Sequence, residues 1–269
     1  MQRMLTRLGR RVLAASLCGL ALAAHAAERG ADGNFETRRS SHFVLLQDVA
    51  IDSYTGARGS RRFEHDVLAV LEQSWKDVGD ALGVEPRGRT RVVVYDASVY
   101  DTEFARLFGF RSAGFFDGTV HVRAGVAVDQ RLATTLQHEY VHAALAGLYL
   151  PAWLSEGLAE YFERPFGGRG PTAGELQVLR SLAASSHWIP LERLSGETFA
   201  GFDQNSAAAA YLESLALVSH LANLRGERAL GRMCRDLSRV RLERTLKRQF
   251  GLSTDELEQS LLAALRSSG

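Results

Sequence analysis

Residues 129–147 constrain the fold more than any other segment, because they combine a helical apolar stripe with ionisable side chains inside it. Asp129 can cap a helix and Gly147 can end one. Between them, apolar residues recur at helical spacing. These apolar residues are Leu132, Leu136, Val141, Ala144 and Leu145. The segment therefore predicts a buried helix that carries polar residues on a covered face.

The polar residues in this helix form an H-E-x-x-H pattern at positions 138–142. Residues four apart on a helix are separated by about 400° and about 6 Å, so His138 and His142 project from one face. Two neutral imidazoles suit a zinc ion. Glu139 lies beside that face, where its carboxylate can serve as a general base for a water molecule. A chance match is the competing interpretation, since a buried histidine is often a structural core residue.

A second segment, residues 151–162, adds two carboxylates at helical spacing. A catalytic zinc site needs a third protein ligand, and Glu156 can provide it. Glu160, one turn further on, is then placed to accept the free N–H of a ligating imidazole, which fixes the tautomer of that ring. Taken without the upstream histidines, the two glutamates would be interpreted as a solvated helix face.

Together the two segments resemble the gluzincin metallopeptidases, in particular the small exported group described as MA-like peptidase domains. The resemblance implies one zinc ion per chain, held by His138, His142 and Glu156, with Glu139 activating the water. Glu160 stands where relatives of the thermolysin type carry an aspartate. The residues that match the family pattern are His138, Glu139, His142, Trp153, Glu156, Gly157, Ala159 and Tyr161.

Two features depart from the thermolysin pattern. Ser155 replaces the asparagine that precedes the third ligand, and the spacing from His142 to Glu156 is shorter than in the large enzymes. The alternative zinc-peptidase pattern requires a third histidine, but Leu148 occupies that position. These differences favour a minimal gluzincin and prevent a transfer of substrate specificity.

The resemblance also implies a role for residues 211–218, which are similar to the helix that closes the site in this family. By this comparison, the Tyr211 hydroxyl donates a hydrogen bond to the developing oxyanion. A core aromatic residue at helical spacing is the other interpretation of Tyr211. His220 is a second candidate for this role, although a histidine on a largely apolar helix is usually structural.

In the same family, the strand beside the metal-binding helix forms an edge along which an extended peptide lies. Here that strand is predicted at residues 114–122. It would contain Phe115, Phe116, Val120 and Val122. An ordinary half-buried edge strand is the alternative. His121 is predicted as a surface or wall residue and not as a metal ligand.

The remaining periodicities predict an α+β fold, with a small sheet and the metal-binding helix in an N-terminal lobe and a helical C-terminal lobe. The predicted domains are residues 27–164 and 165–269. Strands are expected at residues 41–46 and 90–95, with a helix at 63–82 between them. Further helices are expected near residues 173–184, 206–224, 227–238, 240–250 and 254–266.

Residues 1–26 are predicted to be a signal peptide, with four arginines before an apolar run and a small-x-small cleavage site at Ala24-His25-Ala26. Cleavage would export the protein to the periplasm or the medium, without stable membrane insertion. It would leave 28 basic and 31 acidic residues, a net charge of about −3. Cys18 would be lost with the signal, so Cys234 would have no partner for an internal disulfide.

The basic residues between positions 225 and 248 are interrupted by acids and lack interleaved aromatic residues, so no nucleic-acid partner is predicted. The expected partner is a peptide or protein substrate. The oligomeric state is not predicted. Taken together, the sequence predicts an exported zinc metallopeptidase. The alternatives are a zinc-binding scaffold or partner-binding module of the cell envelope, and a zinc hydrolase acting on a non-peptide amide.

Overall fold

The computed structural model describes residues 35–48, 60–104, 112–125, 127–165 and 168–267. The predicted signal peptide lies outside the described residues. Within the described ranges, no helix is long and apolar enough to cross a membrane.

The described residues form two compact units. Apart from the gaps, one unit contains residues 35–77 and 85–146, and the other contains residues 78–84 and 147–267. The predicted α+β class, with a small sheet followed by a helical region, is confirmed. The domain bounds 27–164 and 165–269 stay a prediction.

Within the described part of the first unit, five strands form one mixed sheet in the order β1-β2-β3-β5-β4. Strands β2, β3 and β5 run parallel, whereas the two outer strands pair antiparallel with their neighbours. Strand β4 therefore lies at an edge of the sheet. The strands are β1 (Glu36–Arg39), β2 (Phe43–Asp48), β3 (Thr90–Asp96), β4 (Gly114–Phe116) and β5 (Val120–Ala124).

Residues 114–122, predicted as a single strand, are a hairpin. The Asp117 backbone N–H donates to the Thr119 carbonyl oxygen at 3.2 Å, and the Asp117 side chain accepts from the Thr119 N–H at 3.1 Å. Gly118 has a φ of +109°, which other residues rarely adopt. Asp117 and Gly118 form a pair that favours a turn. The apolar residues on either side favoured a continuous strand, so the sequence interpretation did not place a turn here.

The hairpin changes the predicted peptide-binding edge. Phe115 and Phe116 lie in the edge strand β4, but Val120 and Val122 lie in β5, between β3 and β4. The prediction that all four residues share one edge strand is therefore wrong.

Three helices begin in the first unit: α1 (Ser60–Leu82), α2 (Ala97–Phe104) and α3 (Gln130–Leu145). Helix α3 begins as predicted, because the Asp129 carboxylate accepts a hydrogen bond from the Leu132 N–H at 2.8 Å. It ends just before Gly147, whose φ of +81° stops the helix. Helix α2 and strand β1 were not predicted.

Alternation along the inner strands buries side chains on both faces of the sheet. Leu136 and Tyr140 of α3 are fully buried, and the Tyr140 ring lies 5.5 Å from that of Phe43. On β2, β3 and β5, the fully buried residues are Phe43, Leu45, Val92, Val94, Val120 and Val122. A separate apolar cluster contains Val93, Tyr95, Tyr100, Phe104 and Phe115.

The second unit is helical in its described residues. The five helices predicted after position 170 are present, with bounds that differ by a few residues, and the short α6 was not predicted. The helices are α4 (Ala152–Phe162), α5 (Ala173–Ala183), α6 (Leu191–Leu194), α7 (Gln204–Arg225), α8 (Glu227–Leu237), α9 (Leu242–Phe250) and α10 (Thr254–Ser267).

Helices α4 and α7 pack closely at Gly157. A Cβ atom at this position would overlap the Ser214 carbonyl oxygen and approach a Val218 methyl group to 2.7 Å. Glycine thus permits the close approach of the two helices.

Helix α8 carries Cys234 into the interior of the helical unit. Its side chain is 0% exposed, as are those of its helix neighbours Leu230 and Met233. Burial raises the pKa of the Cys234 thiol to about 12. The thiol is therefore a packed core group at neutral pH.

Candidate metal centre

The fold places His138 and His142 on successive turns of α3, each 1% exposed. Their ring centroids lie 5.0 Å apart and their planes are inclined at 63°. Leu136 and Val141 of the same helix are fully buried, which anchors α3 in its unit. The two imidazoles are thus neighbours on a covered face, as the four-residue spacing predicts.

Glu139 follows His138 on α3 and is completely buried. Its side chain lies against the edge strand: a Cβ atom built on Gly114 would be 2.9 Å from Glu139 Cγ. Burial raises the pKa of the Tyr100 hydroxyl, and the nearby negative charge of Glu139 raises it further. The carboxylate therefore lies near the phenol of Tyr100 and against backbone of β4, and the sequence interpretation identified neither neighbour.

Glu156 lies on α4, which begins after Pro151. Trp153, Leu154 and Leu158 of this helix are fully buried, and Glu156 is 5% exposed. The sequence places proline directly before the first turn, where its missing N–H is not needed.

His138 and His142 are buried on α3 of the first unit, and Glu156 is buried on α4 of the second unit. Two imidazoles and a carboxylate are a donor set that catalytic zinc sites use. The three buried residues supply such a set by residue type, and both the ligand assignment and the identity of the metal stay predictions.

Glu160 lies one turn after Glu156, with 19% of its side chain exposed. Arg164, one turn further on, approaches the Glu160 carboxylate to 3.4 Å and donates from Nε to the Glu160 carbonyl oxygen at 3.1 Å. The same guanidinium forms a two-pronged ion pair with Glu175 at 3.1 and 3.2 Å. Arg164 of the same helix thus contacts both the backbone and the carboxylate of Glu160. The hydrogen bond from a histidine to Glu160 stays a prediction.

The pair of Arg164 and Glu175 is a compensated buried charge pair. Burial raises the pKa of Glu175, but hydrogen bonds from the Thr172 N–H and the positive charge of Arg164 outweigh this effect and leave the pKa lowered. Glu175 also completes the N-terminal capping box of α5 with Thr172.

Tyr211 lies on α7, is 5% exposed, and packs edge-on against Phe199 with ring centroids 5.6 Å apart. These contacts agree with its interpretation as a core aromatic residue, and its catalytic role stays a prediction. His220 on the same helix shares a hydrogen bond of 2.9 Å with Ser260 of α10, and burial lowers its pKa. This bond gives His220 a structural role within the helical unit.

His121 was predicted as a surface or wall residue, but it is 5% exposed. Its Nδ1 lies 2.9 Å from the Tyr95 hydroxyl and its Nε2 lies 3.2 Å from Asp117. Phe115 stacks on the ring with centroids 4.5 Å apart. Both ring nitrogens therefore contact residues of the sheet and its hairpin.

The sequence interpretation also missed Glu213, a completely buried acid on α7. Both carboxylate oxygens lie 3.2 to 3.3 Å from the Ile189 N–H. Burial raises the pKa of Glu213 to about 9, the Ile189 N–H lowers it, and the charge of Glu258 raises it. The available signal was a single acid within the otherwise small and apolar stretch 207–218.

No protein-family model matches this sequence, and no match is found among curated proteins. Among solved structures, the chain is similar to the crystal structure of Legionella pneumophila aminopeptidase A in complex with aspartic acid. The identity is 14% and the TM-score is 0.53. The match covers 86% of this chain and 28% of that chain.

This likeness shows the fold alone. The chain spans about 28% of the length of the aminopeptidase structure, so it shares the architecture of one part of that protein. The chain therefore has a fold that occurs within a peptidase.

Proposed function

We propose that this chain is a zinc-dependent metallopeptidase of the gluzincin type. The observation that carries the proposal is the buried pair of His138 and His142 one turn apart on α3, with the carboxylate of Glu139 beside them on the same helix. Glu156, buried on α4, is the proposed third ligand. This donor set fits zinc, and all three ligands come from positions that the gluzincin pattern assigns to them. When bound, zinc would polarise the scissile carbonyl and make water acidic enough to attack near neutral pH.

Glu139 provides the general base of the proposed reaction. Its carboxylate accepts a proton from the attacking water and later delivers it to the departing amine. Burying a carboxylate costs stability, so an acid at this buried position supports a chemical role. The Glu139 side chain is 0% exposed, which separates its carboxylate from bulk solvent.

Two further residues have proposed supporting roles. Glu160 accepts the free N–H of a ligating histidine, which fixes the orientation of that ring. Tyr211 donates its hydroxyl to the developing oxyanion, a contribution that is worth about 3 kcal/mol when such a donor is well placed.

The proposed substrates are peptides or proteins. The structurally similar chain is an aminopeptidase whose crystal contained aspartic acid, and a free amino acid is a product of peptide hydrolysis. We further propose that the protein is exported and acts after removal of residues 1–26. Mass spectrometry of the exported protein tests this point, with an N-terminus at Ala27 as the expected result.

The central experiment measures metal content and peptide cleavage of the mature chain, residues 27–269. Wild type, Glu139→Ala and His138→Ala are compared, with His187→Ala as the matched histidine control because His187 is exposed and contacts Ser185. Wild type and Glu139→Ala are expected to hold about one zinc ion each, whereas His138→Ala loses zinc. Cleavage of a peptide library is expected to fall at least about 100-fold in Glu139→Ala.

The outcomes separate the possible functions. Full zinc content in His138→Ala would contradict the ligand assignment. Zinc without cleavage of any peptide would favour a binding module, and cleavage restricted to non-peptide amides would favour the other hydrolase class. Parallel peptides with free and acetylated N-termini distinguish an aminopeptidase from an endopeptidase, since an aminopeptidase cleaves only the free forms.

A further inference from the structure

Strand β4 supplies a backbone surface against which the Glu139 side chain lies. Gly114 begins this strand, pairs with Val122 of β5 and is buried. A Cβ atom on Gly114 would lie 2.8 Å from Thr135 Cγ2, 2.9 Å from Glu139 Cγ and 3.0 Å from Glu139 Oε1. Side chains of α3, including that of the proposed base, therefore lie where a side chain at position 114 would begin.

Backbone conformation does not explain the glycine. Gly114 is not among the residues with a positive φ, so alanine could adopt its backbone angles. The constraint is steric, and two of the three close contacts would be with Glu139 rather than with the helix backbone.

The backbone at Gly114 has little freedom to move away from such a contact. The Ser112 hydroxyl donates to the Gly114 carbonyl oxygen, and the Gly114 N–H lies 3.3 Å from the same hydroxyl oxygen. The Arg123 N–H donates to the Ala113 carbonyl oxygen at 2.8 Å. The hydrogen bonds with Ser112 therefore hold Gly114 itself, and the bond from Arg123 holds the preceding residue, Ala113.

The Glu139 side chain has little freedom as well. It is 0% exposed, and Thr135, one turn earlier on the same helix, is 7% exposed and bonds its own helix through Arg131. Close-packed interiors accept an added methyl group only by shifting side chains from their preferred positions. The carboxylate would be the group displaced, because it lies at the end of the longest side chain in contact.

We infer that Gly114 is a positioning residue for the proposed general base: the absence of a side chain at this position lets the Glu139 carboxylate occupy its place against β4. The inference rests on the proposed function for its catalytic meaning. The geometric part, a steric coupling between positions 114 and 139, holds for the folded chain with or without peptide cleavage.

The test combines stability and kinetics for the mature chain. Gly114→Ala is compared with Gly125→Ala, the matched control, because a Cβ atom on Gly125 meets no atom within 4 Å and its φ is not positive. Urea unfolding is measured for Gly114→Ala in the wild-type and Glu139→Ala backgrounds. The loss in the folding equilibrium constant is expected to be about tenfold smaller in the Glu139→Ala background.

Kinetics supply the second readout. In Gly114→Ala, kcat is expected to fall about 100-fold, with zinc content unchanged and KM altered less than about twofold, since the base is misplaced while binding is kept. If Gly114→Ala does not fold, Gly114→Ala combined with Thr135→Ser removes the methyl contact and keeps the hydroxyl bond to Arg131, so both measurements can be made on the double variant.

Equal destabilisation in both backgrounds would overturn the inference, because the constraint would then come from Thr135 and the helix alone. Equal kinetics for Gly114→Ala and Gly125→Ala would also overturn it. If wild type cleaves no peptide, the proposed function fails, and stability coupling between positions 114 and 139 still shows whether the glycine fixes the carboxylate.

Discussion

Glu175 and Glu213 are both buried glutamates of the helical unit, and their surroundings have opposite effects. Glu175 receives hydrogen bonds from Thr172 and an ion pair from Arg164, and its pKa is lowered. Burial, together with a negative neighbour in Glu258, raises the pKa of Glu213 to about 9, although its carboxylate accepts a hydrogen bond from the Ile189 N–H. A buried carboxyl thus stays charged or becomes neutral according to the donors that the fold brings to it.

The largest expected difference between the two residues is the effect of Glu213 on how the free energy of unfolding changes with pH. Its folded pKa lies above the ordinary value of 4.5, so the unfolded chain binds fewer protons between these values and stability falls as pH rises from 4.5 to about 9. Glu213→Gln removes this slope of about 1.4 kcal/mol per pH unit, or about 4 kcal/mol between about pH 5 and 8.

Urea unfolding of wild type and Glu213→Gln at a series of pH values measures this difference. The expected result is that the variant gains stability relative to wild type as the pH rises. A constant difference between the two proteins across this range would show that Glu213 does not titrate with a raised pKa.

The next largest effect is expected from Arg164→Ala, which leaves Glu175 buried without its cation. The free energy of unfolding at neutral pH is expected to fall by about 3 kcal/mol. Lys247→Ala is the matched control, because its ion pair with Glu256 joins side chains that are 62% and 51% exposed. Little change is expected for the control, and a comparable loss in both variants would contradict the role of burial.

Glu175→Gln should reverse the pH dependence seen for Glu213. The lowered folded pKa of Glu175 means that its contribution is present above 4.5 and is lost as pH falls through the folded pKa. Wild type is therefore expected to exceed the variant in stability at neutral pH, and the difference should shrink in acid. Acid titration followed by circular dichroism measures this convergence, and a difference that grows in acid would contradict it.

The smallest effect is expected from Glu258→Gln, which removes the negative neighbour of Glu213. The glutamine keeps an oxygen that can accept the hydrogen bond from Trp188 Nε1, which lies 2.6 Å from the Glu258 carboxylate in the wild type. The pKa of Glu213 should move downward, towards its ordinary value, since the charge of Glu258 raises it. Carboxyl-carbon NMR titration of Glu213 in both proteins checks the direction. An upward shift would show that the charge of Glu258 is not felt at Glu213.

Sequence was sufficient for the elements whose signals are local. Asp129 caps α3, Gly147 ends it, and the apolar spacing between them requires no distant partner. Strand β1 was missed because its sequence, Glu-Thr-Arg-Arg, has no apolar alternation, and it forms through antiparallel pairing with β2. Short edge strands of this kind depend on tertiary pairing rather than propensity.

The same distinction applies to the candidate site. His138, His142 and Glu156 could be selected from spacing, because His138 and His142, like Glu156 and Glu160, are four residues apart on a helix. Gly114 and Tyr100 could not, since they precede Glu139 by many residues and come near it only when strand β4 and helix α2 are in place. Glu213 was missed for a related reason: its pKa depends on Ile189 and Glu258, which lie outside α7.

Burial of Cys234 affects how readily the protein is oxidised and how opening of the helical unit can be measured. The high pKa and complete enclosure of the thiol leave almost no thiolate to react with oxidants or foreign disulfides. Reaction with an alkylating reagent then requires the helical unit to open. The rate of labelling under native conditions therefore gives the frequency of that opening from a single sulfur atom.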